Sequence, residues 1–312
     1  MPCAASAGIA RSGSLVGVTG HGDRVVLGHF GIDETALIGR GGEACVYALD
    51  DERVLRVPHV RVEPSVLEDR RRLLDLIGSH ALPFATPEVL DHPLIDGRAV
   101  VVERRLPGDD ALSVLARPGT DRAALVDDHL DVARRVAVVP CPTGCFGEVW
   151  GGLAMQRASF AEWSVARLTT SLETAGDRYR HIDPVAVTDS LLAALPDPEP
   201  TSPRLVHLDA FLGNMLAEGD RITALLDFGP MTIGGPAELD ALVAIAYLAS
   251  EITPTADDGD RARARAWAAD AGLDAAVEPA ERWIASYWTA ALDDPPLARW
   301  CHRVLGRPQR SF

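Results

Sequence analysis

The hydrophobic period of the chain changes at Pro107-Gly108, and that change limits the folds open to it. Before this point the apolar runs are short. Arg24-Val-Val-Leu27, Ala36-Leu-Ile38, Ala44–Leu49 and Arg53–Val57 are separated by Gly41-Gly42 and Asp50-Asp51, the pattern of an antiparallel meander. One helix interrupts them over 65–78, where Val66, Leu73, Leu76 and Ile77 repeat at helical spacing until Gly78. Two further strands flank Asp96-Gly97, the last of them Ala99–Val102. After Pro107-Gly108 the period becomes helical, with segments at 109–116, 121–139, 157–176, 184–195, 238–250, 259–271, 279–292 and 295–305. Within that half, Arg204-Leu-Val206 and Ile222–Leu226 read as two strands, with a polar turn at Glu218-Gly219-Asp220 before the second. The order implies an α+β chain in two lobes. A small β-rich lobe with one helix spans 1–102, its first 20 residues loosely ordered. A hinge follows at 103–108, then a larger, mainly helical lobe over 109–312.

Charge and cysteine usage exclude several classes. The net charge is −15, and every one of the 30 basic residues is arginine. Nucleic-acid binders need a positive stripe to displace phosphate counterions, so this balance speaks against them, and it favours cationic ligands only where the acids gather at a cleft. The five cysteines are odd in number and scattered, which is no disulfide framework, and Cys141-Pro-Thr-Gly-Cys145 lacks a second ligand pair at zinc spacing. No sustained apolar stretch opens the chain and none reaches 18 residues, so a reducing cytoplasm is the expected compartment.

The chemistry concentrates in His207-Leu-Asp-Ala-Phe-Leu-Gly-Asn214 and Leu225-Leu-Asp-Phe-Gly229. Asp209 suits a base that orients an acceptor hydroxyl and takes its proton. Asn214 and Asp227 offer one amide and one carboxylate oxygen, the hard and incomplete donor set that suits magnesium. Phosphoryl transfer asks for little more from a protein than positioning and charge neutralisation. Gly39-Arg-Gly-Gly42, between two strands, can bring backbone close to phosphate, although Gly-Gly turns are also common in plain hairpins. Gly17-Val-Thr-Gly-His-Gly22 lacks the lysine of a P-loop and reads as flexible chain.

These motifs resemble the aminoglycoside phosphotransferase family, small-molecule kinases with the protein-kinase-like fold. His207-x-Asp209-x-x-x-x-Asn214 is similar to the family's His-Gly-Asp-x-x-x-x-Asn loop, with Leu208 where glycine is usual. Asp227-Phe-Gly229 is similar to its metal-binding aspartate turn, and Gly234-Gly-Pro-x-x-x-Asp240 to the turn and helix-start aspartate that follow. The resemblance implies ATP and Mg2+ as cofactors, Asp209 and His207 as catalytic residues, and Asn214 and Asp227 as metal ligands. It further implies that Gly39, Gly41 and Gly42 cover the nucleotide phosphates and that Arg56 stands in for the family's lysine, paired with Asp69 or Glu68. The backbone from Glu103 to Arg105 would meet adenine. The acceptor would be a small-molecule hydroxyl, on an aminoglycoside, another antibiotic or a sugar.

Two other readings remain open at this level. The missing lysine suits a catalytically weak, nucleotide-binding regulator. Protein-kinase activity ranks lower, because no Ala-Pro-Glu segment follows Asp227. Among the late helices, Glu238, Asp240, Glu251, Asp257, Asp258, Asp293 and Asp294 could attract a polyamine, or simply cap helices and face solvent. The late aromatics Trp283, Tyr287, Trp288 and Trp300 fall at the spacing of core.

Overall fold

The computed structural model describes residues 21–150, 156–291 and 294–306, and the chain divides into two compact units at Pro107–Gly108, with 82–84 assigned to the second. The expectation for residues 1–20 lies outside the described residues. Each unit carries both helices and strands, the α+β class expected, and each has its own logic.

Unit 1 opens with α1 (His21–His29), in place of the expected strand at 24–27. A three-residue apolar run fits either period, and here burial decides: Val26 and Leu27 enter the core while Val25 stays outside. The strands β1 (Leu37–Arg40), β2 (Ala44–Ala48) and β3 (Arg53–Pro58) follow as the meander. Next come α2 (Pro64–Gly78), β4 (Val89–Asp91), the hairpin of β5 (Leu94–Ile95) and β6 (Arg98–Ala99), and β7 (Val101–Arg104). The main sheet runs β1-β2-β3-β7-β4, antiparallel throughout. Asp96 and Gly97 both take positive φ, 48° and 70°, the backbone that a tight two-residue hairpin turn requires.

Helix α2 is rotated from the face expected of it. Its buried side is Leu67, Arg70, Leu73, Leu74 and Ile77, whereas Val66 is exposed. The stripe passes through a cation, Arg70, which a pattern of apolar letters alone assigns to solvent. Arg70 Nη2 donates to Glu103 Oε1 at 3.2 Å, so a nearly buried ion pair ties α2 to β7.

Unit 2 begins with β8 (Asp109–Asp110), α3 (Ala111–Leu115), α4 (Arg122–Arg135), β9 (Phe146–Glu148), β10 (Gln156–Arg157), α5 (Phe160–Thr174) and α6 (Pro184–Ala194). It continues with β11 (Arg204–Val206), β12 (Met215–Glu218), β13 (Arg221–Leu225), β14 (Ile233–Gly235), α7 (Leu239–Tyr247), α8 (Asp258–Asp270), α9 (Asp274–Tyr287) and α10 (Pro295–Leu305). Two small sheets result, β10-β9-β14-β11 and β13-β12-β8. The runs at 204–206 and 222–226 are therefore not partners of each other. The hairpin is β12–β13 about Gly219, and β11 pairs with β14. Helix α9 begins at Asp274, five residues before the expected start, and carries Pro279 inside it, where the ring leaves no N–H for the Ala275 carbonyl.

Helix α7 is buried on every side and forms the axis of the unit, against α4 and α9. Trp283, Trp288, Trp300 and Tyr287 are all core, as their spacing implied. The late acids that are described are mostly structural. Asp257 caps α8 in a capping box with Asp260, Asp294 caps α10, and Glu251 takes the Arg303 guanidinium in a two-pronged pair. Among the described residues no helix is long and apolar enough to cross a membrane.

Candidate active site

The loop from His207 to Asn214 connects β11 to β12, and nearly every peptide group at its start is pinned. Asp240, on the first turn of α7, accepts the N–H of His207 at 2.6 Å and that of Leu208 at 2.7 Å. Tyr247 Oη, further along the same helix, donates to the Leu208 carbonyl at 3.0 Å, and Trp288 Nε1 donates in turn to Tyr247 Oη at 2.8 Å. His129 Nε2, from α4, donates to the carbonyl of Ala210 at 2.9 Å. A loop held this way has little conformational freedom left to lose when substrate arrives.

His207 lies inside this scaffold. The Asp209 N–H donates to Nδ1 at 3.2 Å, which fixes the tautomer, so Nε2 carries the proton and donates to the Leu226 carbonyl at 2.8 Å. Burial pushes its pKa down to about 4, and its ring meets Phe228 edge-on at 4.6 Å. Both ring nitrogens are committed to the protein, which is the geometry of a positioning residue rather than the catalytic one expected from the motif.

Asn214 uses both amide hydrogens on Asp209: Nδ2 donates to the Asp209 carbonyl and to Oδ2, each at 2.9 Å. Its Oδ1 is the atom left to face a ligand. The β12–β13 hairpin places Met215 opposite Leu225, and the Leu226 N–H donates to the Asn214 carbonyl at 2.7 Å. Asp227 is the next residue, so the structure brings Asp209, Asn214 and Asp227 onto one hydrogen-bonded framework. Leu208 and Asp227 take φ of 63° and 61°, and they are two of three described non-glycine residues in the left-handed region. Such backbone costs of order 1–3 kcal/mol and persists only where the surroundings impose it. One amide oxygen and one carboxylate fit magnesium, which keeps the rest of its shell for water and phosphate.

Unit 1 holds the other predicted residues. Gly39 faces Val46 across β1–β2, and the turn closes through Gly41 N–H to the Ala44 carbonyl at 2.9 Å. His59 braces it, its Nε2 donating to the Gly41 carbonyl at 2.9 Å. A Cβ at Gly39 or at Gly41 would meet its nearest neighbour at 3.7 Å, ordinary contact, so the fold itself does not demand glycine at either position.

The partner expected for Arg56 is different. Arg56 lies 3.7 Å from Glu43, whereas Asp69 pairs with Arg72 at 3.3 Å and Glu68 with Arg71 at 2.9 Å. The acids of α2 are taken by arginines one helical turn away, and the buried face of the helix carries Arg70 instead. Of the backbone groups expected to meet adenine, two N–H groups are committed: that of Arg104 goes to the Glu88 carbonyl at 2.9 Å and that of Arg105 to the Glu52 carbonyl at 2.7 Å.

Sequence reasoning missed His129, Tyr247 and Trp288 as supports of the loop. The signal was present for His129, a lone polar residue among Leu125, Val126, Leu130, Val132 and Ala133 on α4. No comparable signal marks Tyr247, which ends a helix that is apolar but for Asp240.

Comparisons against known proteins bear on the family and the fold. The family model described as "Phosphotransferase enzyme family" matches residues 34–273. The chain is similar to a crystal structure of an aminoglycoside phosphotransferase, APH(4)-Ia, in complex with ADP and hygromycin B, with a TM-score of 0.62 and 18% identity over 91% of this chain and 96% of that one. It is similar to a gentamicin complex of APH(2'')-IIa, with a TM-score of 0.58 and 14% identity over 95% and 98% of the two chains. A macrolide 2'-phosphotransferase from Brachybacterium faecium gives a TM-score of 0.52 and 18% identity over 92% and 98%. At these identities the likeness concerns the fold. Among curated protein sequences, none matches.

Proposed function

Because the chain belongs to the phosphotransferase enzyme family, we propose that this small-molecule kinase transfers the γ-phosphoryl group of ATP to an alcohol on a hydroxyl-rich small molecule of the antibiotic or sugar type, with Asp209 as the base. The observation that carries this reading is the double hydrogen bond from Asn214 Nδ2 to Asp209, at 2.9 Å to both the carbonyl and Oδ2. It holds the carboxylate in one orientation and turns the amide oxygen of Asn214 outward. Asp209 would accept the proton of the acceptor hydroxyl, a role worth roughly 10²–10⁴ in rate. Asn214 Oδ1 and the Asp227 carboxylate would hold magnesium, which when bound neutralises charge on the phosphate oxygens. Gly39, Gly41 and Gly42 would let backbone amides approach phosphate, and Arg56 would exchange part of its contact with Glu43 for that anion. His207 keeps the loop in register without touching the reacting atoms. The hygromycin B, gentamicin and macrolide names of the structural neighbours support an antibiotic as acceptor.

A panel of aminoglycosides, macrolides and simple sugars, incubated with Mg-ATP and the purified chain, tests the reading. Phosphorylation of at least one acceptor, lost in Asp209→Ala with the melting temperature retained, is the expected result. Undiminished turnover in that variant overturns the role of Asp209. The contact between Arg56 and Glu43 favours one second reading, a nucleotide-binding regulator. ATP binding with no transfer to any member of the panel would support it.

A further inference from the structure

At the C-terminal end of α7, away from Asp240, unit 2 contains a cavity of about 350 Å³ lined by Ile245, Ala246, Ala249, Ser250 and Val277, with Arg261, Arg265, Arg303 and Glu281 around it. That is within the size range of small-ligand sites. Its floor is the last turn of α7 and the chain just beyond it, where Ile245, Ala246 and Ala249 keep 7–8% exposure against 0% for Ala241 to Ala244. The chain as a whole carries 45 acidic residues against 30 basic ones, yet three arginines and one acid line this cavity.

The three guanidinium groups are not equivalent. Arg261 Nη1 donates to the carbonyls of Leu248 and Ala256 at 3.3 and 3.0 Å, so the negative pole of α7 is already covered, and Nη2 pairs with Asp258 at 2.6 Å. Arg303 holds Glu251 in a two-pronged pair at 2.5 and 3.0 Å and approaches Glu281 at 3.9 Å. Arg265 is exposed and makes no hydrogen bond or ion pair with any described residue. It sits four positions from Arg261 on the same face of α8, where two like charges repel. An anion between them would reverse the sign of that interaction.

We propose that this cavity binds a small amphiphilic organic anion, a carboxylate whose head pairs with Arg265 and whose short apolar body rests on Ile245, Ala246, Ala249 and Val277. The site is separate from the phosphotransfer loop, so its test does not depend on turnover. Calorimetric titration of the full chain with hexanoate, hexylammonium and 1-hexanol compares one apolar body under three head groups. Saturable binding of one hexanoate per chain, with none of the other two, is expected. Arg265→Glu, an exposed substitution that spares the fold, should weaken hexanoate by about tenfold or more, the scale of one charge-assisted contact. Ala249→Phe should block it by filling the floor. Absence of saturable hexanoate binding, equal binding of hexylammonium, or unchanged affinity in Arg265→Glu each overturns the proposal.

Discussion

At Leu208 a buried side chain stands on left-handed backbone, with φ of 63° and no exposure. A β-carbon in that conformation costs about 1–2 kcal/mol relative to glycine, whereas removing a buried leucine side chain costs about 2–5 kcal/mol. The second effect is larger, so Leu208→Gly should destabilise the protein by about 1–3 kcal/mol in urea unfolding even though it relieves the backbone. Turnover per folded molecule should change far less, because Asp240 and Tyr247 hold the peptide groups on both sides of residue 208. Gain of stability would mean that the side chain packs poorly. This residue also marks what the sequence alone could reveal. The letters His207, Asp209, Asn214 and Asp227 marked the loop, but not the strand β12 that pairs with β13 behind it. That a leucine could occupy the left-handed position became visible only with Tyr247 and Asp240 beside it, from residues 32 and 39 positions away.

Elements whose burial follows a clear apolar period were legible, whereas very short strands and a helix face that runs through a charge were not. Helix α10 over 295–305 and the loop about Gly219 matched their patterns, because a clear period and a clear breaker coincide there. Strands β9 and β14 escaped notice, being three residues each and built around Gly147, Gly234 and Gly235. Helix α2 was seen, but its face was misjudged through Arg70. Its pair with Glu103 predicts a specific pattern of stability. Glu103→Ala removes one acidic partner of this nearly buried guanidinium group and should cost about 1.5–3 kcal/mol, while Arg70→Met with Glu103→Leu should recover most of the loss. Equal losses in the single and double variants would show that the pair is not the tie. The β1–β2 turn predicts the opposite behaviour. Gly41→Ala should leave the melting temperature unchanged, since the new Cβ would sit 3.7 Å from the Ala44 carbonyl oxygen. Nucleotide affinity, read by competition with a fluorescent analogue, should nevertheless fall about tenfold as the Cβ takes the space a phosphate needs.

For unit 2 taken as one cooperative body, three buried ionisable groups set the response to pH. Burial pushes His129 and His207 down from 6.5 to about 4, and it pushes Asp240 up from 3.8 to about 7 against the two backbone N–H bonds that lower it. Each histidine is protonated in the unfolded chain below its ordinary value but stays neutral in the folded one. Protonating His129 would put a hydrogen on Nδ1, which is buried without a partner. Asp240 acts in the other direction, since the folded protein keeps a proton that the unfolded chain has released. Between pH 5 and 5.5, above the ordinary carboxylate range, the unfolded state binds close to two more protons at histidine and one fewer at Asp240, a net of nearly one (2 − 1), and this net shrinks toward pH 6.5 as the unfolded histidines lose their protons. Stability should therefore rise with pH by about 1 kcal/mol per unit between pH 5 and 5.5 and level off toward pH 6.5. His129→Gln keeps a donor for the Ala210 carbonyl but removes one titration, so the net falls to zero (1 − 1) and the slope should vanish. All six tryptophans lie in unit 2, at positions 150, 163, 267, 283, 288 and 300, so their fluorescence follows this body alone. Urea midpoints at half-unit pH intervals, without magnesium or nucleotide, measure both slopes. A variant as steep as the parent would mean that His129 is already charged in the folded protein, and that the Ala210 carbonyl is held by an imidazolium rather than by a neutral ring.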